Sequence, residues 1–152
     1  MSGRSLNILL VEDNPDHAEL VRRSLEHFPA SGFMYHVEDG DAALDYLFGR
    51  GAFGDREKFP APDLVLLDLR LPRVDGLEVL RHVKSHPELH RTPVVVLTTS
   101  DTERDEAMAY EHHANGFVTK PVDLHRLSRL ITDLGFFPGA PAQKPPADGA
   151  PS

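Results

Sequence analysis

Residues 64–76 read LVLLDLRLPRVDG. Leu64, Val65, Leu66 and Leu67 form a continuous apolar run, the pattern of a strand buried on both faces of a parallel sheet. The run stops at a carboxylate, Asp68. Leu69 and Arg70 follow, then a turn from Pro72 to Gly76. A charge placed at the end of a buried strand is costly unless something compensates it. What stands at the ends of the other strands therefore decides what Asp68 is for.

Working outward, similar runs recur. NILLV (7–11), FMYHV (33–37), DLVLLD (63–68), PVVVLT (93–98) and GFVT (116–119) predict five strands. Helical segments separate them. Asn14 is a candidate N-cap with Pro15 at the first helical position, and Ala18, Val21, Leu25 and Phe28 follow at helical spacing. Residues 39–48 predict a second helix. A third starts near Asp75 and ends by Pro87, since proline cannot continue a helix interior. Residues 101–114 predict a fourth, with acids early and His112 and His113 late, as the macrodipole prefers. Leu127, Leu130, Ile131 and Leu134 mark the last. Residues 49–62, with Gly49, Gly51, Gly54, Pro60 and Pro62, read as a long loop. This alternation predicts an α/β fold: a doubly wound, five-stranded parallel sheet with five helices and right-handed crossovers.

The chain has 152 residues, 40% hydrophobic and 26% charged, enough for one core. A formal net charge of −8 argues against sequence-independent binding to nucleic acid or to an anionic membrane surface. The absence of Cys excludes disulfides, thiol catalysis and Cys-zinc sites. No apolar stretch is long enough to span a bilayer. The start, MSGRSLNILLVED, is not a signal peptide, so a cytoplasmic location is expected. Residues 1–137 are expected to form one domain. Residues 138–152, with Pro138, Pro141, Pro145, Pro146 and Pro151 among Ala and Gly, are expected to be a disordered tail.

In an open parallel sheet the carboxyl ends of the strands share one edge, where ligands bind. Here the first strand ends on Glu12 and Asp13, the third on Asp68, the fourth on Thr98, Thr99 and Ser100, and the fifth on Lys120 before Pro121. Each residue alone has an ordinary explanation as a cap, a turn former or a solvated charge. Their joint placement at four strand ends does not. Three carboxylates in one pocket repel, and a divalent cation resolves that repulsion. Oxygen donors without Cys or His in these loops favour Mg²⁺ over zinc. A metal on one side and an ammonium on the other suit a phosphoryl group attacked by a carboxylate.

The set ED (12–13), DLRLPRVDG (68–76), LTTS (97–100) and TKP (119–121) resembles the receiver domain of two-component response regulators, over about residues 6 to 135. The resemblance implies a flavodoxin-like strand order 2-1-3-4-5. It implies Asp68 as phosphoacceptor, Asp13 as direct Mg²⁺ ligand, Glu12 as a ligand mostly through water, and the Arg70 backbone carbonyl as a further ligand. Thr98 would be the switch hydroxyl, Lys120 the phosphoryl contact preceding a cis bond to Pro121, and Phe117 the switch aromatic. Receivers often carry Tyr at that last position and a small Ala where Thr99 stands. Arg70 and Ser100 flank the path of the water that would hydrolyse the acyl phosphate. The long 49–62 connection, YLFGRG, LPRVDGLEVL and the expected lack of an output domain resemble the single-domain receivers paired with bacterial and cyanobacterial phytochrome histidine kinases. A histidine kinase, of bacteriophytochrome type, is the implied partner.

Two other functions compete. A haloacid-dehalogenase-type phosphatase also uses a strand-end Asp, but it needs a general acid two residues on, where Arg70 cannot deliver a proton. A receiver-like interaction protein that never meets phosphate would not need the full set of acids, Thr98 and Lys120. The remaining histidines, including His82, His86 and His125, fall on helix faces or ends, where a solvated or dipole-compensating role is commoner. For assembly, the expected surface is that of the fourth helix, fifth strand and fifth helix. Gly135 is a natural left-handed residue ending the last helix. Phe136 would pack back near Ile131, and Phe137 would anchor a homodimer.

Overall fold

The computed structural model describes residues 6–26, 32–71, 75–98, 114–120 and 123–135. Five strands, β1 (Leu6–Val11), β2 (Gly32–Val37), β3 (Leu64–Asp68), β4 (Val94–Thr98) and β5 (Gly116–Thr119), form one sheet in the order β2-β1-β3-β4-β5, all parallel. Helices α1 (Pro15–Glu26), α2 (Gly40–Phe48), α3 (Gly76–Ser85) and α4 (Leu124–Asp133) are the four among the described residues. Of the helix predicted over 101–114, residues 101–113 lie outside the described residues. So do Thr99, Ser100, the Lys120–Pro121 junction's proline, Phe136, Phe137 and the tail.

The apolar runs are strands buried on both sides, as their lack of alternation requires. Leu9, Val11, Val65, Leu67, Val94 and Val96 face one way and pack with Ala43, Leu47, Val79 and Leu80 of α2 and α3. Ile8, Leu10, Leu64, Leu66, Val95 and Leu97 face the other way and pack with Ala18, Val21, Leu127 and Ile131 of α1 and α4. The caps follow the sequence. Asn14 Oδ1 accepts from the amides of Asp16 and His17. Asp39, Asp75 and Asp123 cap α2, α3 and α4 with their side chains. Gly135, at φ 104°, leaves α4 in the left-handed region open to glycine.

The 49–62 connection is more ordered than its composition implies. It holds a 3-10 turn, Gly51–Phe53. Arg56 donates to the carbonyls of Tyr46, Leu47 and Phe59, so a guanidinium satisfies the end of α2. Tyr46 donates to the Pro60 carbonyl at 3.0 Å, and its ring lies 5.2 Å from Phe53 and 6.0 Å from Phe59.

Register places the chemistry. Val11 pairs with Leu67, Asp68 with Leu97, and Thr98 with Thr119. Glu12 and Asp68 are therefore level, Thr98 stands one residue further along the same edge, and Lys120 two. The turn after Asp68 closes on Gly76, whose amide donates to the Leu69 carbonyl at 3.1 Å. A Cβ on Gly76 would sit 2.3 Å from the Asp68 carbonyl oxygen and 2.6 Å from Leu69 Cα. Only glycine lets α3 start this close to the strand end.

Gly76→Ala should cost about 2 kcal/mol or more of stability, because backbone cannot yield as a flexible side chain does. Urea unfolding checks this, and a loss of less than about 0.5 kcal/mol, the ordinary scatter of surface changes, would contradict it. A second expectation concerns alkaline pH. Burial pushes the Tyr46 hydroxyl up to about 12 from its ordinary 10.0. The unfolded chain loses this proton first, so stability should fall as pH rises from 10.0 toward about 12. Tyr46→Phe should flatten that part of the profile.

Candidate functional site

Glu12 leaves β1 with its amide held by the Val37 carbonyl at 3.0 Å, and its side chain is fully buried. Oε2 accepts from the Asn14 amide at 3.1 Å, and Oε1 accepts from Lys120 Nζ. Asp68, 4% exposed, accepts from the Arg70 amide at 3.0 Å on Oδ1 and from Lys120 Nζ at 3.0 Å on Oδ2. Each carboxylate oxygen at Asp68 thus has a donor. Lys120 is fixed from behind, since its own amide donates to the Thr98 carbonyl at 2.7 Å. Its side chain is nearly as buried as the acids it joins.

Asp13 is exposed at the mouth of this cluster. One carboxylate oxygen each from Glu12, Asp13 and Asp68 lie within 4.8 Å of one another. Three carboxylates face one ammonium, so the cluster carries an excess of negative charge. Burial pushes the Glu12 carboxyl above its ordinary value, and the charge of Asp68 pushes it the same way. The hydrogen bonds from Lys120 and the Asn14 amide work in the opposite direction. An all-oxygen donor set with one open side and surplus negative charge fits a hard divalent cation.

Of the other residues singled out by sequence, Thr98 is buried on the same edge. Arg70 is exposed just past Asp68. Phe117, on β5, is half-buried and packs on the α2–α3 side, with the Arg126 guanidinium 5.6 Å from its ring centre. Sequence reasoning missed one member. His17, in the first turn of α1, brings Nδ1 to 3.0 Å from Lys120 Nζ and 3.8 Å from Glu12 Oε2. The strand-end loops hold no histidine, but a helix capped at Asn14 carries this one back over them. The available signal was its place four residues after Asp13, one turn into that helix.

Residues 8–132 match the response regulator receiver domain family. The chain is 41% identical over 130 residues to response regulator Rcp1 of Synechocystis sp. (strain ATCC 27184 / PCC 6803 / Kazusa), covering 86% of each chain. A crystal structure of the Mn²⁺-bound form of response regulator Rcp1 superposes with a TM-score of 0.72 at 40% identity, over 85% of this chain and 91% of that one. The bacteriophytochrome response regulator RtBRR superposes with a TM-score of 0.80 at 43% identity, over 94% of this chain and 85% of that one. "Probable methanogenesis regulatory protein FilR2" of Methanothrix harundinacea (strain 6Ac) is 44% identical over 127 residues, 84% of this chain and 79% of that one.

Replacing Lys120 by Met should leave two buried carboxylates facing each other without their common cation. Breaking a buried pair this way costs about 3–5 kcal/mol. Thermal melts in a chelator check the loss. Millimolar Mg²⁺ should raise the variant's melting temperature more than it raises the wild type's. Equal shifts would show that Lys120 and a cation do not share the work of neutralising these acids.

Proposed function

The chain belongs to the response regulator receiver family, whose members take a phosphoryl group from histidine kinases, and from this we propose that Asp68 is its phosphoacceptor and that Mg²⁺ is the cation it uses. The observation that carries the assignment is the pair of donors on Asp68, the Lys120 ammonium on one oxygen and the Arg70 amide on the other, beside the carboxylates of Glu12 and Asp13. These donors orient the carboxylate and leave it next to a surplus of negative charge that a dication corrects.

In the proposed reaction an Asp68 oxygen attacks the phosphorus of a kinase phosphohistidine. The phosphorus–nitrogen bond breaks, the imidazole leaves with the electron pair, and an acyl phosphate remains. Asp13, Asp68 and the Arg70 carbonyl would hold the metal, with Glu12 acting through water. When bound, Mg²⁺ neutralises the phosphoryl oxygens and steadies the in-line geometry. Lys120 pairs with the new charge from the opposite side. Thr98, buried one strand away, supplies the hydroxyl that closes on the phosphoryl group, and Phe117 is the aromatic that follows it. Arg70 and Ser100 set how long the acyl phosphate lasts.

A kinase of bacteriophytochrome type is the proposed partner, supported by likeness to RtBRR, and the cytoplasm is the proposed location. Among the described residues no helix is long and apolar enough to cross a membrane. A homodimer is proposed over the face of the helix predicted at 101–114, β5 and α4, with Phe137 as its anchor. The α4 surface supports this, since Asp123, Arg126, Arg129 and Asp133 line one groove. Mixed charges on one helix can pair with their own two-fold copy.

Acetyl phosphate with Mg²⁺ should add one phosphoryl group, read by intact mass, and Asp68→Asn should abolish it. Asp13→Ala should weaken Mg²⁺ binding by about tenfold or more, since one of few charged ligands is lost. Phosphorylation that survives Asp68→Asn, or Mg²⁺ affinity unchanged in Asp13→Ala, would overturn the respective assignment.

A further inference from the structure

Lys120 has three N–H bonds and no acceptor. The structure gives its ammonium three partners: Glu12 Oε1, Asp68 Oδ2 and His17 Nδ1. Because lysine can only donate, Nδ1 of His17 must accept. The ring is then neutral, with its proton on Nε2. His17 is the one uncharged member of this set, and it is about a third exposed while the two acids are buried.

The three partners differ in what phosphorylation does to them. Asp68 becomes an acyl phosphate and loses the charge on its carboxylate. Glu12, in the role proposed above, would share its carboxylate with the metal's water. His17 does neither. Its backbone is held by the cap, since its amide donates to Asn14 Oδ1 at 3.3 Å. The ring offers Nζ an acceptor at 3.0 Å that phosphorylation of Asp68 does not consume.

We propose that His17 is a positioning residue for the phosphorylated site: by accepting one proton of Lys120 it keeps the ammonium aimed at the phosphoryl group on Asp68. The inference rests on Asp68 being the phosphoacceptor. It also assigns the imidazole a role that the strand-end motifs do not contain. One acceptor bond to a charged donor, at a partly exposed ring, corresponds to a roughly fivefold to tenfold effect on binding a phosphoryl mimic.

Beryllium fluoride with Mg²⁺ serves as that mimic, and its affinity is compared in wild type, His17→Leu, His17→Asn and Asp68→Asn. His17→Leu removes the acceptor. His17→Asn restores one, because its amide oxygen falls near the place of Nδ1. The expected result is about fivefold to tenfold weaker beryllium fluoride binding in His17→Leu, recovery in His17→Asn, and Mg²⁺ affinity without fluoride unchanged in both. Wild-type affinity in His17→Leu would overturn the proposal. So would equal weakening in the Leu and Asn variants, which would trace the effect to packing of the ring. Binding that persists in Asp68→Asn would overturn the phosphoacceptor assignment itself, and this inference with it.

Discussion

One ammonium holding two buried carboxylates is the interaction on which the rest of this site depends. Glu12 and Asp68 come from separate strands, and each would be untenable alone at its depth. Lys120 reaches both and makes their burial possible. The compensation is incomplete by design of the charge count, because Asp13 adds a third carboxylate at the open side. A site with that imbalance is stable enough to fold and still electrostatically unsatisfied, which is the condition for taking up a dication and then a phosphoryl group.

The fold serves this arrangement through register more than through any single contact. Parallel pairing ends β1, β3, β4 and β5 on one edge. The doubly buried strands leave little freedom to slip, since the apolar residues on both faces have helices to fill against. Two short devices then set the ends. Gly76 lets α3 begin against the Asp68 backbone. The Thr98 carbonyl fixes the Lys120 amide before its side chain turns back toward the acids. Distances of about 3 Å between groups on different strands follow from these constraints.

Much of this was legible in the sequence. Runs such as Leu64–Leu67 and Val94–Leu97 lack alternation, so they announced strands buried on both faces, and the acids, Thr98 and Lys120 stood at their ends. Asn14, Asp75 and Gly135 announced helix termini because capping is local chemistry. What was not legible depends on side chains meeting across the fold. His17 and Lys120 are 103 positions apart, and nothing in either neighbourhood marks the meeting. Arg56 looked like one charge in a Gly- and Pro-rich loop, yet it caps α2 and orders that loop. Composition reports the propensity of a segment. It does not report which carbonyls a long guanidinium can reach.

The most direct test of the central claim is a crystal structure grown with Mg²⁺ and beryllium fluoride. The fluoride group is expected on an Asp68 carboxylate oxygen, the metal between Asp13, Asp68 and the Arg70 carbonyl, and Lys120 Nζ within hydrogen-bond distance of a fluorine. A metal bound away from these three residues, or a fluoride group on another side chain with Lys120 still joining Glu12 to an unmodified Asp68, would contradict it.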